Sequence, residues 1–415
     1  MEKNALDFIE VKSPSVKHRY TAGKRGSFGH FVEDYISGKI DVVGDFEEFM
    51  NLRSTHFDFK LTGHHIKFFF SRMIPEVVSH SKKQDERIVR EHYDRGNDFF
   101  SYFLGPRMVY TGGFYIDRAN ETLEQAQDRK MTMVCEKLMM KPGDKHLDIG
   151  CGWGTLVAYA AKFYGTDGTG ITLAQDGTDH GNKQLAAHGL QDRARILRMD
   201  YRDMLYNAAN TQKFDKITCL EMGEHVGIRK FQGFINKIYD KLNDGGMFYI
   251  QQAGLRANPG IVKKGRHWED LAWGLFMNEY IFSGADASTP LAFLVKTLQD
   301  ANFEVQTVEN IGIHYSHTLH EWYKNWEKNK EAVLSTYGEW WYRLWRLFLY
   351  WSTVIVANGS STCWSIASYK NLNMDQVDRN RYIGRENLGE RMQLKNVRTF
   401  SVDTPASVFE KPVLS

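Results

Sequence analysis

The chain has 415 residues, 42% of them hydrophobic, and its 53 Lys and Arg residues nearly balance 51 Asp and Glu residues. The resulting net charge of +2 gives no global field that would attract nucleic acid, and the length suits one elaborated domain or two. The four cysteines are widely spaced without a CxxC pair, and the amino terminus lacks a basic start followed by an apolar run, which favours an intracellular protein with reduced thiols.

The first predicted segments are a mobile basic arm over residues 1–30 and a helical cap over residues 31–125. Basic residues stand among Ser, Pro and Gly in the arm, whereas FVEDYISG, FEEFMNL and IKFFFSRMIPEVV in the cap show apolar residues at helical spacing. The most apolar stretches, 66–70 and 347–357, are shorter than the ~20 residues that a membrane-spanning helix needs. We therefore expect no segment of this chain to cross a bilayer.

Strand and helix patterns then alternate through a domain predicted over residues 126–373. The strands are HLDIG, TGITL, ARILRMD, FDKITCLE, GMFYIQQAG, FEVQTVENIGIHY and CWSIASYKN, with helices expected over residues 155–164 and 231–242 among others. Such alternation indicates an α/β fold whose mainly parallel sheet is covered on both faces. The tail over residues 374–415 mixes charged and polar residues without a period and is predicted to be a polar extension.

Two helical insertions are predicted within this domain, at about residues 255–300 and 316–358. The first contains the aromatic stretch HWEDLAWGLFMNEYIF, and the second is expected to form one long helix over residues 318–357. Aromatic residues recur along this helix at i, i+4 and i+7 spacing, which favours packing over a ligand groove. They are Trp322, Trp326, Trp341, Trp345 and Phe348.

The segment HLDIGCGWG places Asp148, Gly150 and Gly152 where a strand turns into a helix. Glycines let the backbone bend sharply and approach a ligand closely, which suits a nucleotide-like cofactor. A dinucleotide site requires the pattern GxGxxG and an acidic residue about 20 positions further on. Here Thr155 occupies the third glycine position, and the second strand ends in GITL without an acidic residue. The pattern is instead that of S-adenosylmethionine methyltransferases.

In order along the chain, HYDRGNDFF, MVYTGGF, LDIGCGWG, GITL, MDYRD, GEHVG, IFSGADAS and HYSHTL resemble the cyclopropane fatty acid synthase and mycolic acid methyltransferase family. The resemblance runs from about residue 85 to 372. GPRMVYTGG, CLEM, AGLR, EDLAWGLFMNEYIF and YKNLN are more similar to sphingolipid 9-methyltransferases, which methylate carbon 9 of the long-chain base of ceramides. The resemblance implies a Rossmann-like seven-stranded sheet, the cofactor S-adenosylmethionine and transfer of a methyl group to a lipid alkene.

The resemblance also implies which residues hold the cofactor, and each follows a strand or precedes the glycine loop. They are Tyr110, Thr111, Asp148, Gly150, Gly152, Thr172, Asp200, Tyr201 and Arg202. One position departs from the family, which usually has Gln where this chain has Gly177. Gln175 is the candidate replacement for that contact.

Methyl transfer to an alkene produces a carbocation, so the site needs shielding from water, aromatic faces and a proton acceptor. The aromatic residues of 268–282 and 315–326 are candidates for the walls. In the family the proton acceptor is thought to be a bicarbonate held by backbone N–H groups, a Glu, a His and a Tyr. Matching by motif assigns the Glu to Glu224 and the Tyr to Tyr315, whereas the family's Cys is Gly112 and its His is Gln251.

These two departures predict a weakened anion site or a different proton acceptor, because Gln251 can donate a hydrogen bond but cannot carry a positive charge. Glu221, three residues before Glu224, is interpreted as a structural residue that caps a helix or pairs with Arg229. The pairs His64–His65 and His317–His320 lack a third ligand at sensible spacing, so no metal site is expected.

Three functions stay open at this point. The first is a lipid C-methyltransferase acting on an unsaturated sphingoid base in ceramide or glucosylceramide, through a carbocation and deprotonation. The second is a cyclopropane synthase acting on unsaturated phospholipid acyl chains, and the third is a catalytically degenerate lipid-binding protein. The expected partners are a membrane lipid and an endomembrane surface contacted peripherally, with no nucleic acid, and a homo-oligomer is compatible with the sequence.

Overall fold

The computed structural model describes residues 3–73, 95–255, 266–284 and 289–370. The chain forms two compact units: one comprises Met1–Ser79, Asn258–Gly284 and Leu319–Ser360, and the other comprises His80–Ala257, Ala285–Thr318 and Ser361–Ser415. This division differs from the predicted one, in which the cap ended at residue 125 and both insertions belonged to the methyltransferase domain. The polar extension predicted over residues 374–415 lies outside the described residues.

The second unit contains a seven-stranded sheet, as the sequence predicts. Its strands are β1 (Lys145–Ile149), β2 (Asp167–Thr172), β3 (Ala194–Arg198), β4 (Phe214–Leu220), β5 (Leu242–Leu255), β6 (Glu304–Asn310) and β7 (Ser361–Tyr369). In space the order is β6-β7-β5-β4-β1-β2-β3. Strand β7 runs antiparallel to both neighbours, while the other pairs are parallel. The predicted Rossmann-like α/β class is therefore confirmed.

Helices cover both faces of this sheet, and each face has its own apolar core. One core includes Val157, Leu185 and Tyr249, and the other includes Ile217 and Phe234. The helices are Asn97–Leu104, Leu123–Lys137, Thr155–Tyr164, Gln175–Ala187, Tyr201–Leu205, Ile228–Lys241 and Leu291–Asp300, with a 3-10 turn at Gly223–His225. Strand β4 is buried along nearly its whole length, which explains why its sequence reads as a continuous apolar run.

The first unit is mainly helical. Its helices are Phe28–Ile36, Phe46–His56, Gly63–Phe68, Arg266–Phe276, Lys330–Tyr337 and Glu339–Ala357, with 3-10 segments at Ala5–Phe8 and Pro14–Arg19 and π-helical turns at Phe69–Met73 and Met277–Ile281. Short strands pair Ile9–Val11 with Ile40–Val42 and Gly26–Ser27 with Phe57–Asp58. Residues 258–284 and 319–360 of the predicted insertions join the N-terminal residues in this unit, because they share an aromatic core in which the Trp351 ring lies 4.8 Å from Phe28 and 5.3 Å from Phe276.

The N-terminal segment differs from the mobile arm that its composition predicts. Residues 5–27 contain the helical segments and strands described above. The Arg19 guanidinium also pairs with the buried carboxylate of Asp34 at 2.9 Å. An ion pair on a buried carboxylate restrains the segment, which the basic composition alone does not reveal.

Two predictions around the second insertion are wrong. The single helix expected over residues 318–357 is three helices, Gly312–Lys328, Lys330–Tyr337 and Glu339–Ala357, because Gly338 adopts a positive φ of 84° that interrupts the last two. The strand expected to continue through Tyr315 ends at Asn310.

The packing role predicted for the aromatic stripe is confirmed for its most buried members, Trp322, Trp326 and Trp345, which are fully buried. Within the described part of the chain, no helix is both long enough and apolar enough to cross a membrane.

The histidines considered as metal ligands have other partners. His64 lies 2.7 Å from a carboxylate oxygen of Glu279, and His320 lies 3.1 Å from Glu47. Over residues 3–73, 95–255, 266–284 and 289–370, no three His, Cys, Asp or Glu side chains form a group that could hold a metal ion.

Candidate active site

The glycine loop after β1 leaves one side of its backbone open. Gly150 and Gly152 have positive φ values of 78° and 55°, a conformation that side chains disfavour. A Cβ at Gly150 would lie 2.5 Å from the Met222 side chain, whereas a Cβ at Gly152 would meet no atom within 4 Å. The loop therefore packs tightly on one side and offers free backbone at Gly152, which fits the close approach of a nucleotide-like cofactor.

Asp148, at the end of β1, is held by a buried chain of hydrogen bonds. Its Oδ1 accepts a bond from the Thr218 hydroxyl at 2.6 Å, and that hydroxyl oxygen lies 2.8 Å from Nε2 of His146. Burial raises the pKa of Asp148 to about 6 and lowers the pKa of His146 to about 3. A neutral His146 therefore donates from Nε2, which fixes the hydroxyl and the orientation of the carboxylate.

The other residues implied as cofactor contacts follow β2 and β3. Thr172 ends β2, and its hydroxyl accepts the N–H of Ala174 at 3.3 Å. Asp200 begins the helix Tyr201–Leu205 by accepting the backbone N–H of Arg202 at 2.8 Å, and the Arg202 guanidinium binds the same carboxylate through two hydrogen bonds. Much of the hydrogen-bonding capacity of Asp200 is thus used within its own loop.

The departure at Gly177 has a steric explanation. A Cβ at this position would lie 2.7 Å from the carbonyl oxygen of Gly152, so any side chain would require the backbone to shift. The candidate replacement, Gln175, is exposed and bonds to Asp179 and Arg198. Its amide is therefore engaged at the surface.

Glu221 is the centre of a cluster of donors at the end of β4. Its Oε1 accepts the backbone N–H of Gly112 at 3.2 Å and a hydrogen bond from the side-chain amide of Gln251. The Tyr315 hydroxyl also bonds to the Glu221 carboxylate. Burial raises the pKa of Glu221, and these hydrogen bonds oppose that rise because they favour the ionised form.

The backbone at Glu221 is unusual for a residue with a side chain. Its φ is 56°, in the left-handed region that glycine favours. Its N–H donates to the carbonyl of Gln251 at 2.7 Å, which holds this conformation at the end of the strand pair. A strained position that keeps a carboxylate is the kind of feature found at functional sites.

Glu224 lies beside this cluster but has different partners. Its Oε1 accepts the N–H of Ala253 at 2.6 Å, and its buried Oε2 has no hydrogen-bond partner in the described part of the protein. Burial raises the pKa of Glu224 to about 8, and the nearby charge of Glu221 adds to that rise. Glu224 is therefore protonated and neutral at pH 7.

The structure brings together three of the four predicted catalytic residues, but around another carboxylate than expected. Gly112, Gln251 and Tyr315 contact Glu221, whereas the sequence assigned them to an anion site with Glu224. The ring of Tyr315 also lies over Gly112, where a Cβ would come within 3.3 Å of it. One feature of the sequence indicates this role for Glu221. It directly follows Leu220, the last residue of β4, and Leu220 pairs with Gln251 on the neighbouring strand β5.

Lys130 is a further residue of this site that sequence reasoning missed. It lies on the helix Leu123–Lys137, is only 2% exposed, and donates a hydrogen bond from Nζ to Thr111 at 2.5 Å. It interacts electrostatically with Glu221 and Asp148, and burial lowers its pKa to about 8. In sequence it stands in a polar run, QAQDRK, which reads as a solvated helix face.

Comparisons with known proteins identify relatives of this chain. Residues 80–366 match the mycolic acid cyclopropane synthetase family. The chain is 47% identical over 381 residues to the sphingolipid C9-methyltransferase of Komagataella phaffii, covering 91% of this chain and 76% of that protein. It is 50% identical over 345 residues to sphingolipid C9-methyltransferase A of Emericella nidulans, covering 83% of this chain and 65% of that protein.

A solved structure shows the same fold. The mycolic acid cyclopropane synthase CmaA1, complexed with SAH and CTAB, matches with a TM-score of 0.63 and 23% identity, covering 69% of this chain and 98% of that chain. The family match over residues 80–366 includes the glycine loop and the residues of the Glu221 cluster. The chain therefore belongs to the mycolic acid cyclopropane synthetase family and is an S-adenosylmethionine-dependent methyltransferase.

Proposed function

We propose that this enzyme adds a methyl group to carbon 9 of an unsaturated sphingoid base in ceramide or glucosylceramide. The observation that carries the proposal is the Glu221 carboxylate, which receives hydrogen bonds from Gly112, Gln251 and Tyr315. A built-in proton acceptor suits a reaction that ends in deprotonation. The substrate class is supported by relatives at 47% and 50% identity that are named sphingolipid C9-methyltransferases.

In this proposal Glu221 takes the place of the bicarbonate that the sequence resemblance implies. The groups expected to hold that anion already hold a carboxylate of the chain. A second anion in the same buried pocket would repel Glu221 and raise the pKa of its carboxyl further. Glu224, protonated at neutral pH, limits the negative charge of the pocket to one carboxylate.

The residues at the cofactor end fit S-adenosylmethionine. When bound, this cofactor supplies an electrophilic methyl group on a sulfonium. We propose that the glycine loop at Gly150 and Gly152, the carboxylate of Asp148 and the end of β2 at Thr172 hold it, because the loop leaves free space at Gly152. The segments that contain Tyr110 with Thr111, and Asp200 with Tyr201 and Arg202, complete the proposed site.

The alkene is a weak nucleophile, so the chain must hold it in line with the methyl donor and keep water away. With the cofactor bound, the π electrons would form the new carbon–carbon bond while the methyl–sulfur bond breaks and its electrons stay on sulfur, and positive charge would develop on the neighbouring carbon. A hydride shift moves the charge to the methylated carbon, and a proton passes to Glu221 to restore the double bond. Aromatic faces stabilise such a charge, and we propose Tyr110, whose ring lies 5.7 Å from Phe100 and 5.5 Å from Phe103, for this role.

We further propose that the enzyme reaches its lipid at an anionic membrane surface. Ile66 and Phe70 are 51% and 66% exposed on one turn of the first unit, beside the exposed cations Lys67 and Arg72. Apolar side chains between basic ones suit the interface of a bilayer that contains acidic lipids. Flotation with anionic liposomes tests this, since a protein that stays at the bottom of the gradient would contradict it.

The reaction is tested with purified enzyme, S-adenosylmethionine and vesicles that contain ceramide with an unsaturated sphingoid base. Mass spectrometry is expected to show the gain of one CH2, and NMR a methyl group on a retained double bond. A cyclopropane ring would favour a synthase instead, and activity only on phospholipid acyl chains would overturn the proposed substrate. Adding bicarbonate to a bicarbonate-free assay should not change the rate if Glu221 is the proton acceptor.

A further inference from the structure

Lys130 is a buried cation at the junction between the proposed cofactor site and the proposed proton acceptor. It is 2% exposed, and its ammonium group donates a hydrogen bond to the uncharged hydroxyl of Thr111 at 2.5 Å. Burying an ammonium group is costly unless opposite charges compensate it. The hydroxyl cannot provide that compensation, so the balancing charges must come from carboxylates farther away.

The compensating charges are the two buried carboxylates of the site. Lys130 interacts electrostatically with Asp148 on β1 and with Glu221 at the end of β4, and the cation favours the ionised form of both. The thiol of Cys363 on β7 is the other titratable group that interacts with Lys130. Without the ammonium, both buried carboxylates would lose a compensating charge, and the pKa of each would rise further.

Lys130 also restrains the segment that reaches Glu221. It holds the side chain of Thr111, and the next residue, Gly112, donates its N–H to Glu221 at 3.2 Å. The Lys130 side chain thus has two effects: it contributes a positive charge, and it restrains the segment whose N–H group donates a hydrogen bond to Glu221.

We propose that Lys130 is a positioning residue that keeps both Asp148 and Glu221 ionised. Through Lys130, cofactor binding at Asp148 is coupled to the ionisation of the proton acceptor Glu221. The proposal rests on the proposed function for the role of Glu221. It predicts an effect on the pH dependence of the enzyme that a residue with a purely structural role would not have.

Two substitutions separate the charge from the hydrogen bond. Lys130→Gln keeps a donor for Thr111 and removes the charge, while Lys130→Arg keeps the charge. Lys137→Gln is the matched control: Lys137 lies on the same helix, is 3% exposed and pairs with Glu309 on β6 at 2.6 Å. Both Gln variants lose a buried ammonium group. An effect seen in Lys130→Gln but not in Lys137→Gln is therefore specific to Lys130.

The measurements are kcat/KM and the affinity for S-adenosylhomocysteine from about pH 5.5 to about pH 8.5. Both quantities are expected to fall on the acidic side of their pH profiles. In Lys130→Gln we expect this fall to begin about one pH unit higher, so that each quantity is about tenfold lower near pH 6 than in the wild type. The variant should approach the wild type as the pH rises toward about 8, because the carboxylates ionise more readily at high pH and Lys130 of the wild type, with a pKa of about 8, loses its charge there. Lys130→Arg and Lys137→Gln should keep the wild-type limb, and an unchanged limb in Lys130→Gln overturns the proposal.

Calorimetry keeps this test separate from the test of the proposed function. If the wild type binds S-adenosylhomocysteine but methylates no lipid, the proposed function fails, while the pH dependence of binding still decides the role of Lys130.

A double-mutant cycle covers poor folding of Lys130→Gln. Adding Glu221→Gln should recover part of the lost stability, because the uncompensated carboxylate is then gone. A double variant that is no more stable than Lys130→Gln also overturns the proposal.

Discussion

The side-chain amide of Gln251 on β5 donates a hydrogen bond to Oε1 of Glu221, the same oxygen that accepts the backbone N–H of Gly112 at 3.2 Å. The two residues also join through their backbones, since the Glu221 N–H donates to the Gln251 carbonyl at 2.7 Å. This double link fixes the carboxylate although its backbone has a φ of 56°. An immobile, hydrogen-bonded carboxylate at the end of β4 is the basis of the predictions below.

Glu221→Gln and Glu224→Gln form a matched pair that separates the two carboxylates. If Glu221 accepts the proton, Glu221→Gln should lower kcat by about 10²–10⁴, the usual contribution of general acid–base catalysis, with little change in S-adenosylhomocysteine affinity. Glu224→Gln imitates a carboxyl that is already protonated at pH 7 and should keep most of the activity. Steady-state kinetics measures both, and the reverse ranking would return the role to Glu224.

Gln251→Leu tests the amide donor. The hydrogen bond lowers the pKa of Glu221, so its loss should move the acidic limb of kcat upward, by roughly half to one unit, with recovery near pH 8. Stability should change little, because Oε1 of Gln251 is buried without a partner among the described residues, and Leu removes that cost.

The control for this change is Gln252→Leu. Gln252 is equally buried, points to the other face of β5 and donates to Thr289 at 3.3 Å. It should leave the pH dependence of kcat unchanged. If the acidic side of the pH profile of kcat shifts equally in both variants, the shift comes from general loosening of β5.

How much the sequence could predict depends on the range of the interactions involved. The seven strands and the glycine loop follow from local periodicity and turn chemistry, and both are confirmed. The contact between Gln251 and Glu221 does not follow from local sequence. It depends on the register of β4 and β5 and on the left-handed backbone of Glu221, which no local pattern predicts. Lys130 was missed for a similar reason: its helix carries polar residues on a face that is buried by the site.

Thr218→Val tests the chain that orients Asp148. Valine keeps the shape and removes the hydroxyl that donates to the carboxylate at 2.6 Å, so the pKa of Asp148 should rise above its value of about 6. We expect S-adenosylhomocysteine affinity to fall about tenfold near pH 6 and by much less near pH 8. Titration calorimetry at both pH values measures this, and an equal loss at both would point to lost packing instead.

Thr169→Val is the control for Thr218→Val. Thr169 is 2% exposed on the neighbouring strand β2, and its buried hydroxyl has no hydrogen-bond partner within the described residues. Replacing it removes an unsatisfied polar group, so stability should stay the same or rise. Cofactor affinity should not change at either pH.

Glu224→Gln should also change how stability depends on pH. Burial raises the pKa of Glu224 from 4.5 to about 8, so between these values the native state holds a proton that the unfolded state has released. Stability from this group is therefore present below about pH 4.5 and is lost as the pH rises through about 8. Gln does not titrate, so the variant should gain stability relative to the wild type as the pH rises.

Thermal unfolding without ligand at about pH 5 and about pH 8 measures this difference, which we expect to grow by on the order of 2 kcal/mol. The full shift would imply more, but Glu221 shares the charge of the pair. Glu331→Gln, at an exposed position, controls for the loss of one negative charge. In a Glu221→Gln background the effect of Glu224→Gln should shrink, because the neighbouring charge that helps to raise the pKa of Glu224 is gone. Identical pH slopes in the wild type and Glu224→Gln would show that Glu224 is ionised in the native state, and two buried anions would then have to share the pocket.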